Sequence, residues 1–306
     1  MIERWLATLS LCLVPSLGWA ACAAQQATAV KLNVVAGTIL VSVAVNGIDG
    51  NFILDTGAAR SLVTEAAVRR LGLARDVWIG TTMRGVGGIE SRPNADPRSL
   101  TLGGVALARR SLSHDSSLTV GVLPRASADG ITIDGLLGRD FLSAFDLDLD
   151  VPDRLVTLYR VSGCAGRFLP WQQGYTAMPV TVLFNQAIVA PVALDGVELR
   201  ALLDTGASAS LLGVTGMRRI GLEANALSGD PMDVVTGLGP RAVIMHRHRF
   251  RSLQVGGAVI ADPSVWVAPI RLTPVVDMLL GADWLASRRV WISFSTRQVF
   301  VAAGLK

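Results

Sequence analysis

The tetrapeptide Asp-Thr-Gly-Ala occurs twice in this chain, as Asp55-Thr56-Gly57-Ala58 and as Asp204-Thr205-Gly206-Ala207, each time at the end of an apolar run. The copies are 149 positions apart (204 − 55). This pattern points to a duplicated chain that supplies one carboxylate per half. Two acids held face to face across a pseudo-twofold axis do not both ionise readily. They share a proton, and the pair can act as base and acid toward one water.

The duplication extends well beyond the tetrapeptide. At the same offset Val43-Ala44 meets Val192-Ala193, Gly47 meets Gly196, Leu54 meets Leu203, and Ser61-Leu62 meets Ser210-Leu211. Arg69-Arg70-Leu71-Gly72-Leu73 falls on Arg218-Arg219-Ile220-Gly221-Leu222 without a gap. Further on, Gly85-Val86-Gly87-Gly88 pairs with Gly237-Leu238-Gly239-Pro240, and Arg98–Gly104 pairs with Arg251–Gly257. Asp134-Gly135-Leu136-Leu137-Gly138 pairs with Asp277-Met278-Leu279-Leu280-Gly281 at the shorter offset of 143 (277 − 134). The first half therefore carries about ten extra residues, within 111–132. Solenoid repeats run roughly 20–50 residues, so a period this long marks two whole lobes.

A chain of 306 residues exceeds the size at which one core keeps growing, and two lobes fit it. Apolar content of 51% against 17% charged residues excludes disorder and supports two buried cores. The formal charge is +4, and of 28 basic residues only Lys31 and Lys306 are lysine. That arginine content reads as compositional bias, and no nucleic-acid partner is expected.

Residues 1–23 read as a signal peptide: Arg4, an apolar stretch from Trp5 to Leu17, then small residues that allow cleavage after Ala20 or after Ala23. The run is shorter than a membrane span requires, so no integral span is expected once the signal is removed. Export to the periplasm or the medium follows. Cys22 could instead carry a lipid, although Trp19 stands where a branched aliphatic is expected. Cys12 leaves with the signal, and Cys22 survives only if cleavage follows Ala20. A Cys22–Cys164 disulfide is therefore open, not predicted.

Strand signals dominate the pass along the chain. Thr38–Asn46 alternates and turns at Asn46-Gly47, and Asn51–Leu54 runs apolar into Asp55. The clearest helix is Thr64–Leu71, with Thr64 as N-cap and Gly72 closing it, and its twin is Val214–Ile220, ending at Gly221. Short helices are expected from Arg139 and Ala282. Asp146–Tyr159 and Val290–Ala302 read as hairpins that turn at Pro152-Asp153 and near Ser295-Thr296. The domains expected are a first lobe at 30–160, a linker at 161–178 and a second lobe at 179–304.

Each lobe resembles the retroviral-type, retropepsin-like unit of the aspartic peptidases: an apolar pair into Asp-Thr-Gly-Ala, a glycine-rich hairpin, then Asp-x-Leu-Leu-Gly and a short helix. The resemblance covers roughly residues 30–302 in two copies. It implies a mainly β fold of two pseudo-twofold-related acid-protease lobes in one chain, with few short helices. It also implies that Asp55 and Asp204 hold and activate the attacking water. Gly57 and Gly206 are expected to turn the backbone tightly and lend N–H groups, beside Ala58 and Ala207. Thr56 and Thr205 would hydrogen-bond across the interface. Leu137-Gly138 and Leu280-Gly281, each after a further leucine, would back the loops. The hairpin tips Gly85, Val86, Gly87, Gly88 and Gly237, Leu238, Gly239 would close over a polypeptide substrate in the interlobe cleft. A fused chain is expected to work as a monomer, with no cofactor and no metal.

The sequence also departs from the family. In viral members the arginine of Gly-Arg-Asp pairs with an acid shortly after the catalytic loop; the matching positions here are Ala59 and Ser208, and Ala282 replaces the arginine in the second lobe. No such ion pair is expected at Arg139. His246 and His248 share a strand face, yet no third ligand is near, so a solvated basic strand is expected rather than a metal site. Ser61 and Ser210 recur without a partner histidine, which argues against a serine nucleophile. The favoured reading is an exported aspartic endopeptidase. The rivals are a catalytically silent peptide-binding module on the same fold and a structural envelope protein.

Overall fold

The computed structural model describes residues 21–85, 88–107, 117–123, 127–235 and 241–303. The apolar stretch read as a signal, the tip residues Val86 and Gly87, and Gly237, Leu238 and Gly239 of the second hairpin lie outside the described residues. No helix among the described residues is long and apolar enough to cross a membrane.

The duplication reappears as two ten-stranded sheets with the same strand order. In the first lobe strands Thr38–Val45 and Ile48–Leu54 pair antiparallel, and Gly135–Leu137 runs parallel to the latter, matching Leu137 with Leu54. In the second lobe Ile188–Leu194 and Val197–Leu203 form the same hairpin, and Met278–Leu280 matches Leu280 with Leu203. Both hairpin turns need two consecutive left-handed residues, and the pairs Asn46-Gly47 (φ 54° and 81°) and Asp195-Gly196 (51° and 83°) supply them. The mainly β, two-lobed architecture expected from the sequence is thus the observed one. The first lobe's extra residues include a small ribbon of Ser127–Ala128 with Ile131–Thr132.

The helices follow their local signals. Thr64 caps Glu65–Arg70, its Oγ1 accepting from the amide of Ala67, and Gly72 leaves the helix at φ 62°. Val214–Ile220 ends on Gly221 at φ 68°. A buried carboxylate fixes each helix to its sheet. Asp134 holds Arg70 and the amide of Asn51, and Asp277 holds Arg219, Arg200 and the amide of Arg200.

A sheet of six strands joins the lobes. Its centre is Asp146–Asp150 against Arg289–Ser293, which pairs Asp148 with Trp291. Ala23–Lys31 and Leu155–Ser162 extend one side, and Gln298–Ala302 and Tyr175–Met178 the other. Leu147 and Leu149 face the main core, while Asp146, Asp148 and Asp150 are buried as well. Arg289 grips Asp148 with both nitrogens at 2.6 and 2.9 Å, and Trp171 Nε1 donates to the same carboxylate at 2.9 Å. Asp146 accepts from Ser293, Ser295 and Trp291. Leu169, Trp171 and Tyr175 pack with Trp291 and Phe300 in a separate cluster. Cys22 and Cys164 form a disulfide that ties the start of the first of these strands to the residues after Ser162.

Candidate active site

Each catalytic-type loop leaves the end of a central strand, where the following backbone must turn out of the sheet. The amide of Asp55 bonds Leu137 O and that of Asp204 bonds Leu280 O, both at 3.0 Å, so the second apolar strand of each lobe fixes where its aspartate emerges. The paired positions expected from the sequence are brought together here. The carboxyl of Asp204 packs against Gly57 and that of Asp55 against Gly206, so the two acids meet where the loops cross.

Glycine is required at both loops by close approach. A Cβ on Gly57 would sit 2.2 Å from the Asp204 carboxyl carbon, and one on Gly206 would sit 2.3 Å from that of Asp55. Neither glycine has a positive φ, so the reason differs from the tight turn expected: each loop makes room for the opposite lobe's carboxyl. The threonines lock the loops reciprocally. Thr56 N donates to Thr205 Oγ1 at 3.0 Å, and Thr56 Oγ1 donates to Leu203 O at 2.8 Å. Thr205 N donates to Thr56 Oγ1 at 3.1 Å, and Thr205 Oγ1 to Leu54 O at 2.5 Å. Both residues are almost fully buried.

The two carboxyls have unequal surroundings. Ala58 N donates to Asp55 at 2.7 Å, whereas Asp204 receives both Gly206 N at 3.0 Å and Ala207 N at 3.1 Å. Burial, followed by the charge of Asp204, pushes Asp55 up to about 8. Burial also raises Asp204, against the opposing amide bonds. Coupled carboxyls titrate as a pair, and the additional amide donor favours the charged form on Asp204.

Behind each loop lies a support that sequence reasoning missed. Ser61 donates through its amide and its hydroxyl to Asp140, at 3.0 and 2.7 Å, while its hydroxyl accepts from Gly138 N at 2.8 Å. Ser210 repeats this with Asp283 and Gly281 N, at 2.9, 2.8 and 3.1 Å. The signal was present: Ser61 and Ser210 recur at the offset of 149, and the acids two residues after each Leu-Leu-Gly recur at the shorter offset of 143 (283 − 140). The hydroxyls are partnered by carboxylates rather than by histidine. Gly138 and Gly281 are packed against backbone, with an added Cβ meeting Arg60 C at 2.9 Å and Ala209 C at 2.5 Å respectively. This is why the Leu-Leu pairs end in glycine.

Arg139 bonds no aspartate in the manner of the viral enzymes. Its guanidinium donates instead to the carbonyls of Thr56 and Asn185. Gly85 and Gly88 face each other at the end of the hairpin Ala74–Gly85 and Gly88–Asp96, whose first strand is tied to the residues after the first Asp-Thr-Gly-Ala loop by Arg60 donating to Thr81 at 3.3 Å. The matching hairpin of the second lobe is Met232–Val235 with Val243–Arg249. Within it His248 Nδ1 lies 2.7 Å from Asp230. Among the described residues no cluster of three or more His, Cys, Asp or Glu could hold a metal.

A family model described as aspartyl protease matches residues 41–141 and again residues 190–284. Together these spans cover well over half of the chain, one match per lobe. No curated protein matches the chain.

Proposed function

The chain belongs to the aspartyl protease family, and from that premise we propose that it is an exported, monomeric endopeptidase whose Asp55 and Asp204 activate one water against a peptide bond held between the lobes. The observation that carries the reading is the mutual packing of the two loops, in which each glycine leaves space only for the opposite aspartate. Asp204, richer in amide donors, takes the water's proton as base. Asp55, holding the shared proton, donates to the scissile carbonyl and stabilises the oxygen charge that develops there. The strands of the two hairpins, Ala74–Gly85 with Gly88–Asp96 and Met232–Val235 with Val243–Arg249, flank the extended peptide and help to exclude water.

Export is supported by the apolar N-terminal stretch and by the Cys22–Cys164 disulfide, since such bonds persist in oxidising compartments. The disulfide also supports cleavage after Ala20 rather than Ala23. A single chain that carries both half-sites should keep its specific activity on dilution. The deciding experiment is digestion of casein or a peptide library by the mature protein, with and without pepstatin. Pepstatin-sensitive internal cleavage is expected. Peptide binding without cleavage would assign the chain to the silent alternative.

A further inference from the structure

Arg139 is a cation beside the first loop whose twin position in the second lobe carries no charge. It is 3% exposed. Its amide donates to Ala58 O at 3.0 Å and its Nη1 to Thr56 O at 2.5 Å, so one residue holds the first catalytic loop at two points. Its Nε donates to Asn185 O of the second lobe at 3.2 Å. That carbonyl sits in a turn closed by Gln186 N donating to Leu183 O at 2.9 Å. The twin position is Ala282, whose amide keeps the backbone bond to Ala207 O at 2.8 Å but which brings no charge. The backbone support is therefore duplicated and the cation is not.

We propose that Arg139 is a positioning residue that acts on the dyad in two ways: it clamps the first loop to the second lobe, and it supplies a buried positive charge that holds the carboxyl pair in its singly ionised form at working pH. The inference rests on the peptidase reading only for its consequence in catalysis. Arginine keeps its proton under all ordinary conditions, so once buried here its charge is permanent. A nearby cation stabilises each successive ionisation of a carboxyl pair and thus lowers both of its titration steps. The groups whose charge acts on Arg139 are Asp55 and Asp204 from the two loops and Asp140 from its own helix. In agreement, the charge of Arg139 opposes the upward displacement of both dyad members.

The test uses Arg139→Gln, which keeps amide donors but no charge, and Arg139→Lys, which keeps the charge with poorer geometry. Folding of each is checked by circular dichroism. The dyad is titrated by carbon-13 NMR of labelled aspartate carboxyls, and kcat/KM is measured against pH on one peptide. In Arg139→Gln both titration steps should rise by roughly one unit. Arg139→Lys should leave them near the parent's even where kcat falls. Coincident titrations in Arg139→Gln and the parent would overturn the proposal, as would an upward shift in Arg139→Lys. Should Arg139→Gln not fold, Arg139→Met, which keeps the aliphatic stem without the charge, takes its place, with the same upward shift expected and coincident titrations overturning the proposal. Because the NMR titration needs no turnover, a chain that cleaves nothing still tests this inference separately from the peptidase reading.

Discussion

The amide of Thr56 donates to the hydroxyl of Thr205 at 3.0 Å, and the amide of Thr205 returns the bond to Thr56 at 3.1 Å. Each hydroxyl then donates to the residue just before the opposite aspartate, Leu203 or Leu54. Both contacts of each hydroxyl are with the other lobe, so a threonine here joins lobes rather than stabilising its own loop. Thr205→Val keeps the volume but leaves the Thr56 amide and the Leu54 carbonyl buried without partners. A loss of about 2–4 kcal/mol is expected, against under about 1 kcal/mol for Thr205→Ser. Urea unfolding of the two variants checks this; equal midpoints would mean that the crossed bonds contribute nothing.

Asp55→Asn and Asp204→Asn should each lower kcat/KM by at least about three orders of magnitude, about 4 kcal/mol of transition-state stabilisation. Near-normal turnover in either would refute the dyad.

The same variants carry a stability prediction with a definite sign. Asp55 titrates at about 8 in the folded protein and near its ordinary value when unfolded, so between these the native state binds more protons. Parent stability from this group is full at low pH and is lost as pH rises through that window. Asp55→Asn, neutral throughout, should unfold later than the parent at pH 8, with an upper bound of about 4 kcal/mol at neutrality. The gap should close below about pH 4. Melting curves across pH measure it, and a gap independent of pH contradicts the raised titration.

Both residues after Asp-Thr-Gly are alanine, so no hydroxyl there bonds the outer carboxylate oxygens. Ala58 and Ala207 contribute only their amides, to Asp55 and Asp204. A mildly acidic optimum is expected, nearer neutrality than a gastric pepsin's. Ala58→Ser and Ala207→Ser should each stabilise the charged form and move the basic limb of kcat/KM down by roughly half a unit or more. A pH–rate profile with no acid shift in either variant would sink the argument.

The Cys22–Cys164 disulfide closes a sequence separation of 142 residues. Replacing both cysteines by serine should cost about 2–4 kcal/mol, because the open chain regains entropy when unfolded. Thermal midpoints with and without dithiothreitol should fall together with that of the double variant. A midpoint unmoved by reductant would show that the strand pairing of Ala23–Lys31 with Leu155–Ser162 suffices.

Two lobes, their strand hairpins and capped helices, and the four residues of each candidate loop were legible in the sequence. These are written locally or repeated: Asn46-Gly47 can only turn one way, Thr64 and Gly72 bracket a helix, and one offset carries the first Asp-Thr-Gly-Ala onto the second. The features that were not legible concern residues whose partners lie far along the chain. Asp146-Leu147-Asp148-Leu149-Asp150 alternates like a strand with one face in water, yet Trp171 and Arg289 bury its acids. The terminal hairpins of the two lobes join through Asp148 and Trp291 into one sheet, a pairing that neither hairpin's own sequence encodes. Arg139, set aside because its expected acid was missing, binds carbonyls of both lobes, and Ser61 turned to Asp140 rather than to a histidine. Periodicity and spacing encode how a segment folds on itself; burial of a charge and the partner that satisfies it depend on which distant surface arrives, and that is fixed only when the lobes close on one another.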